Sequence, residues 1–259
     1  MRTDKQPSAD SPRSSAGLKP WRLLRTWNGA PGWNMSLDEA LLLLAGPAPV
    51  LRFYTWSPDT LSLGYFQRWK DVPQRELASA VVRRTTGGGA IHHSRELTFS
   101  IAASLEHPLY RGAVQKSYER IHGALGEVFA ELGVTASLRG STILSSDDEA
   151  SAMCFHRSTP IDLEWGGAKG VGSAQRRSRG RVLHHGSIKL GTTDLEGPIA
   201  TLDAAGAKLD AAALADRVQA VFARRFGADF SEDRPTKAEL DHAEKRADFF
   251  HSEEHLQRR

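Results

Sequence analysis

A chain of 259 residues, 40% hydrophobic and with a formal net charge of +3, is long enough for one large domain or two small ones and can bury a substantial core. That charge, with a pI near 9.1, does not by itself point to nucleic acid, and none is expected as a partner. A single cysteine excludes an internal disulfide and implies a reducing, cytoplasmic compartment; no apolar run approaches the roughly 20 residues that span a bilayer, so no membrane is expected.

Residues 1–20 are rich in Ser, Pro, Asp and Lys and carry no apolar h-region, which predicts a disordered tail rather than a secretory signal. Trp21 to Trp27 reads as a first strand. Ser36-Leu-Asp-Glu39 has the form of a capping box, so a helix is predicted to begin there and run through the leucines that follow. Residues 50–56 (VLRFYTW) are strand-like, and Ser57-Pro-Asp is a turn signal. Residues 80–84 and 97–105 read as two more strands, separated by a segment holding Gly87, Gly88 and Gly89. Val114, Tyr118, Ile121, Leu125, Val128, Phe129 and Leu132 have helical spacing, with Gly133 as a stop. A polar loop over 145–152 leads into Cys154. IDLEW, a Gly-Gly turn and GVGSAQ form a predicted hairpin, residues 182–190 another strand, and residues 210–226 and 236–256 two closing helices. No internal repeat is present. The mixture predicts an α+β fold around a mixed, mainly antiparallel sheet flanked by helices.

Four stretches could carry chemistry. In RRTTGGGAIHH (residues 83–93) three glycines let a backbone approach a ligand closely, or simply make a tight turn; no Lys-Ser or Lys-Thr follows at P-loop spacing. The pairs His92-His93 and His184-His185 each offer one side chain per sheet face, but no further ligands with metal spacing accompany them, so no metal site is expected. Cys154 is either a small buried hydrophobe or, next to His156 and Arg157, a nucleophile favoured as thiolate by nearby positive charge. Lys169, among glycines in the predicted hairpin turn, is either solvated or placed to orient a carbonyl.

WNMSLDEALLL, DTLSLGYFQ, RRTTGGGAIHH with RELTFS, AKGVGSAQRR, VLHHGSIKL and AELDHAEKRADFFHSEEH, in that order, resemble the lipoate–protein ligase, octanoyltransferase and biotin ligase superfamily over about residues 21–256. The likeness is strongest to its cysteine-bearing octanoyltransferase branch. Those enzymes move an octanoyl group from acyl carrier protein, through a cysteine thioester, to the lysine of a lipoyl domain or of the glycine cleavage H protein. The resemblance implies one catalytic domain over residues 21–259, acting as a monomer, with Cys154 (before Phe155) as nucleophile and Lys169 as its partner. It also implies substrate contacts from Arg84, Gly87, Gly88, Gly89, His93, Gly172, Ser173 and Ala174. No cofactor is expected; ATP and Mg would enter only for the alternative of a lipoate–protein ligase. An amidotransferase between carrier proteins and a non-catalytic carrier-binding module are further alternatives. Ser94 departs from the acidic residue often found after that histidine, and the unbroken glycine triplet suits the ligases as well. Two expectations complete the reading: Arg83-Arg84 and Arg176-Arg177 form basic clusters that recruit acidic carriers, and the strands at 97–105 and 182–190 wall an apolar slot.

Overall fold

The computed structural model describes residues 20–259; the tail predicted over 1–20 lies outside the described residues except for Pro20. In chain order the first half holds β1 (Trp21–Gly29), α1 (Pro31–Leu44), β2 (Val50–Trp56), β3 (Thr60–Leu63), β4 (Ala80–Arg83), β5 (Ile91–His93), β6 (Glu96–Ser104) and α2 (Val114–Glu131). The second half holds β7 (Ser137–Leu138), β8 (Leu163–Trp165), β9 (Ala168–Ser178), β10 (Arg181–Lys189), α3 (Ala211–Phe226), β11 (Phe230–Glu232), α4 (Lys237–Arg246) and α5 (Glu253–Leu256). Eight strands form one sheet in the order β11-β1-β2-β6-β10-β9-β8-β7, and β4-β3-β5 form a second. In the large sheet β1 pairs in parallel with β11 and β2, and every other pairing is antiparallel. This is the mixed, mainly antiparallel α+β architecture read from the sequence.

Strand alternation decides which helix covers which face. Leu23, Leu51, Phe53, Phe99, Ile101, Val182 and Ile188 point to one face, where they meet Ile121, Leu125, Val128 and Phe129 of α2 and Leu214, Val218 and Phe222 of α3. Each of these large side chains is fully buried, worth about 1.5–3 kcal/mol relative to exposure. Leu24, Val50, Ala102 and Leu183 point to the other face and pack on Leu37, Ala40 and Leu41 of α1. Met35, Tyr54, Trp56, Val82 and Phe250 then tie α1, the large sheet and the small sheet together on that second face.

Two helix boundaries differ from expectation. α1 begins at Pro31, five residues ahead of the supposed capping box, and its N-cap Ala30 makes no side-chain cap. Pro at the first helical position needs no partner for its missing N–H. Ser36 and Asp38 are instead buried in mid-helix: Asp38 accepts from Arg52 at 2.8 Å and from Tyr54 at 2.9 Å. A complete capping box does exist, at Thr236 and Glu239, where it starts α4. The helix predicted over 236–256 is broken after Arg246 into a 3₁₀ turn (Ala247–His251) and α5. The break seats Phe250 in the core and lets the carbonyls of His255 and Leu256 accept from Arg83.

Candidate active site

Cys154 opens a single 3₁₀ turn, Cys154–His156, against the glycine loop. Its N–H donates to Ala90 O at 2.7 Å and Ala90 N–H donates to Ala152 O at 2.9 Å, a two-bond clasp that fixes the turn. Gly89 permits the clasp: a Cβ there would lie 2.8 Å from the Cys154 nitrogen and 2.9 Å from its Cα. Gly172, on β9, opens space on the sulfur side, since a Cβ there would stand 3.1 Å from Cys154 Sγ. The cysteine is buried, with 8% of its surface exposed.

Lys169 does not sit in the hairpin turn. Gly166 and Gly167 make that turn with φ of 61° and 76°, and Lys169 follows as the second residue of β9, buried. Its ammonium has three N–H groups and three acceptors: Asp162 Oδ2 at 2.9 Å, Arg157 O at 3.0 Å and Cys154 Sγ at 3.6 Å. Burial would lower the Lys169 pKa, but the Cys154 sulfur and the Asp162 carboxylate outweigh it, and the net displacement is upward. The ammonium is therefore held charged beside the thiol. Asp162 is oriented in turn by Thr159, whose N–H donates to Oδ2 at 2.7 Å.

A small cavity opens beside the sulfur, on the α1 face of the large sheet. Eight of the ten residues assigned from sequence line it: Cys154, Arg84, Gly87, Gly88, His93, Gly172, Ser173 and Ala174. Gly89 acts through the backbone contact described above, and Lys169 through its ammonium. Met35, Tyr54, Trp56 and Ile91 supply the apolar wall. Thr98 from β6 and His185, Gly186 and Ser187 from β10 also line it, so the two strands expected to wall an apolar slot contribute polar side chains and a glycine.

Arg84 is a structural cation of the loop. It is buried, and it donates to the carbonyls of Ser62, Gly87 and Gly89 at 2.9, 2.8 and 2.6 Å. Burial pushes its pKa down to about 10, opposed by Cys154 and Tyr54, so it remains cationic at neutral pH. Arg83 is also fully buried, with its donors spent on the carbonyls of Gly64, Gln67 and His255. The pair read as a basic recruiting cluster is therefore no surface at all.

His93 stacks on Trp56, with ring centroids 4.0 Å apart. Burial pushes its pKa down to about 4 despite the neighbouring Glu96, so its ring is neutral near pH 7. Both nitrogens are engaged: Nδ1 with Glu96 at 2.6 Å and Nε2 with Ser62 Oγ at 2.7 Å. With Glu96 ionised, Nδ1 carries the proton and donates, and Nε2 accepts from the Ser62 hydroxyl. Its place is therefore in the wall, with no free nitrogen for a base. The one-histidine-per-face reading holds: His185 lines the cavity, while His184 lies on the α2–α3 face, against Tyr118.

Sequence reasoning missed Asp162 and His122, and named His185 only as one of a pair. His122 reaches from α2 to the Ser173 hydroxyl at 2.7 Å, and His185 bonds Thr86 at 2.6 Å. Asp162 carried only a partial signal, as one of two acids in IDLEW: the strand register sets Glu164 opposite Lys169, while the ammonium reaches Asp162. Nothing in the sequence marked His122 or tied His185 to Thr86. Among the described residues no group of three His, Cys, Asp or Glu side chains is placed to hold a metal ion, and no helix is long and apolar enough to cross a membrane.

Residues 30–217 match the lipoyl protein ligase A/B catalytic domain. The chain belongs to that family. It is 42% identical to the octanoyltransferase LipM of Moorella thermoacetica over 177 residues, 66% of this chain and just under two thirds (65%) of that protein. It is 36% identical to the octanoyltransferase LipM of Carboxydothermus hydrogenoformans over 235 residues, 87% of this chain and 84% of that one. In fold it is similar to a bipartite lipoate protein ligase of Thermoplasma acidophilum, solved in a study of that archaeon's lipoylation system and its E2 lipoyl domain. The TM-score there is 0.74 at 21% identity, covering 92% of this chain and 96% of that one.

Proposed function

We propose that residues 21–259 form one catalytic unit that transfers an octanoyl group from octanoyl-acyl carrier protein, through a Cys154 thioester, to the lysine of a lipoyl domain or glycine cleavage H protein in the cytoplasm. The observation that carries the reading is the 3.6 Å contact between the Lys169 ammonium and Cys154 Sγ at the mouth of an apolar cavity.

In the first step the Cys154 thiolate attacks the donor thioester carbonyl. The donor thiolate leaves and takes up the proton Cys154 gave up. Negative charge develops on the carbonyl oxygen and needs a donor there. The Cys154 N–H is already given to Ala90, so it cannot serve. Two N–H groups of Lys169 are held by Asp162 and Arg157, and the third points at the sulfur, from which it turns to the oxygen once the sulfur is acylated. In the second step the neutral acceptor amine attacks the acyl-cysteine. The amide forms, the Cys154 thiolate leaves, and the proton released by the amine restores the starting pair. The acyl group arrives already activated as a thioester and amide formation is downhill, so the reading needs no ATP.

The test is transfer to a lipoyl domain with octanoyl-acyl carrier protein and no nucleotide. The wild-type protein should form the octanoyl amide and Cys154→Ala should not, while keeping its fold by circular dichroism. Octanoylation by Cys154→Ala, or a strict need for ATP and free octanoate, would overturn the reading.

A further inference from the structure

The cysteine cavity shares a wall with a second, larger groove. Phe66 stands where its ring is 3.7 Å from a Cβ built on Gly87, and Gly87 lines the cavity. On its other side Phe66 lines an open groove together with Arg68, Asp71, Ala152, Arg157 and Arg259. Gln67 closes the shared wall, donating to Ala152 O at 2.9 Å, two residues before the nucleophile.

The rim is aromatic and cationic. Phe66 is 64% exposed, a large apolar side chain left in solvent beside the site. Arg259 lies over its ring at 5.3 Å, and Arg258 and Arg176 lie over Tyr65 at 4.1 and 5.2 Å. Arg68 is paired with Asp71 at 2.6 Å. Among the described residues, however, Arg157, Arg176, Arg258 and Arg259 have no carboxylate within 4.0 Å. Arg83, buried beneath, has its pKa pushed down first by burial and then by Arg258 and Arg259, as expected where like charges gather uncompensated. Arginines stacked on aromatic rings are held with their guanidinium forks ordered, which suits recognition of phosphate and carboxylate.

Building on the function proposed above, we propose that this groove is where the acyl donor docks: an acidic carrier protein whose phosphodiester-bearing arm lies along Arg157 and Arg259 and delivers its thioester past Phe66 to Cys154. Charge separates the two possible occupants. The donor arm carries an anion, which three arginines against one aspartate attract. The acceptor brings a lysine ammonium, which the same lining repels. The basic patch thus lies at Arg157, Arg176, Arg258 and Arg259 rather than at Arg83-Arg84.

The test separates the two half-reactions. Acylation of Cys154 is timed by intact mass with two donors, octanoyl-carrier protein and the small uncharged thioester of octanoate with N-acetylcysteamine. Transfer from pre-acylated enzyme to a lipoyl domain is timed separately. Arg258→Glu with Arg259→Glu should slow acylation from the carrier by at least about 10-fold at low salt and flatten its salt dependence. Acylation from the small thioester and the second half-reaction should be unchanged. Equal rates for variant and wild type with the carrier would overturn the docking site. So would an equal loss with both donors, or a loss confined to the lipoyl-domain step, which would assign the patch to the acceptor. A wild-type protein that accepts octanoyl from neither donor would overturn the proposed function itself, and the docking site with it.

Discussion

Lys169 is bonded to Asp162 at 2.9 Å, and both side chains are buried. The carboxylate keeps the ammonium charged and fixes two of its three N–H directions together with Arg157 O. Asp162→Asn leaves the shape intact and removes the countercharge. Leaving one partner of a buried ion pair alone costs about 3–5 kcal/mol in stability. Turnover should fall by about 10²-fold or more, because the third N–H is no longer aimed at the sulfur. Urea melts read beside kcat would show both effects; unchanged kcat with lowered stability would make Asp162 purely structural.

Lys169→Ala should cost about 10²–10³-fold in kcat, the usual loss for one oxyanion donor. Lys169→Arg should not restore it, because a planar fork cannot make the same three directed bonds in this space. A loss under about threefold would leave Lys169 as no more than Asp162's partner.

Gly172→Ala tests the sulfur's surroundings. The new methyl would sit 3.1 Å from Cys154 Sγ, with Lys169 Cε at 3.6 Å on the other side. Displacing a reacting atom by a fraction of an ångström can cost up to about 10²-fold. The expected outcome is a folded protein with strongly reduced acylation rate; wild-type acylation would place the reacting carbonyl on another side of the sulfur.

His93 is one of several histidines, with His122 and His184, whose pKa burial pushes down and which make stability depend on pH. Its pKa is about 4 in the folded protein against 6.5 without the fold, so between those values the unfolded chain binds more protons. Stability is therefore full above about pH 6.5 and falls as pH drops toward 4, by at most about 3 kcal/mol from this group. Urea unfolding from pH 7 to 4.5 should show the fall, and His93→Gln should make it shallower, the remainder coming from His122 and His184. Because the ring is neutral above pH 5, it should add no acid limb to the rate profile there.

Much of the fold was legible where one physical signal dominated. Apolar spacing marked α2, and the Gly-Gly pair marked the β8–β9 hairpin, where both residues need positive φ. The failures share a cause: a local pattern was overruled by a distant partner. Ser36-Leu-Asp-Glu39 spells a capping box, but Asp38 is claimed by Arg52, fourteen residues on. Arg83-Arg84 looks like a charged surface, but carbonyls from four segments absorb both side chains. In the site, Cys154, Lys169 and the glycines were assigned through the family resemblance of their motifs, because the residues alone fit a buried hydrophobe, a solvated lysine and a tight turn equally well. Asp162 and His122 were not, because an acid and a histidine look ordinary until the fold sets them beside Lys169 and Ser173.

The proposed function implies that the cavity wall sets acyl length. A saturated chain offers only burial, about 0.8 kcal/mol for each methylene. A donor series from two to sixteen carbons should peak near eight, with acetyl almost inert and palmitoyl poor. Met35→Ala, which removes a buried side chain from the wall, should move the maximum to longer chains. A flat profile would remove the cavity from the mechanism.

The central claim is that Cys154 carries the acyl group. Mixing the protein with octanoyl-acyl carrier protein, without acceptor, and measuring intact mass tests it most directly. The account predicts one added octanoyl group, mapped to Cys154, released by hydroxylamine and discharged by a lipoyl domain. An unmodified protein that nonetheless transfers octanoyl to the acceptor, or an adduct on another residue, would contradict it.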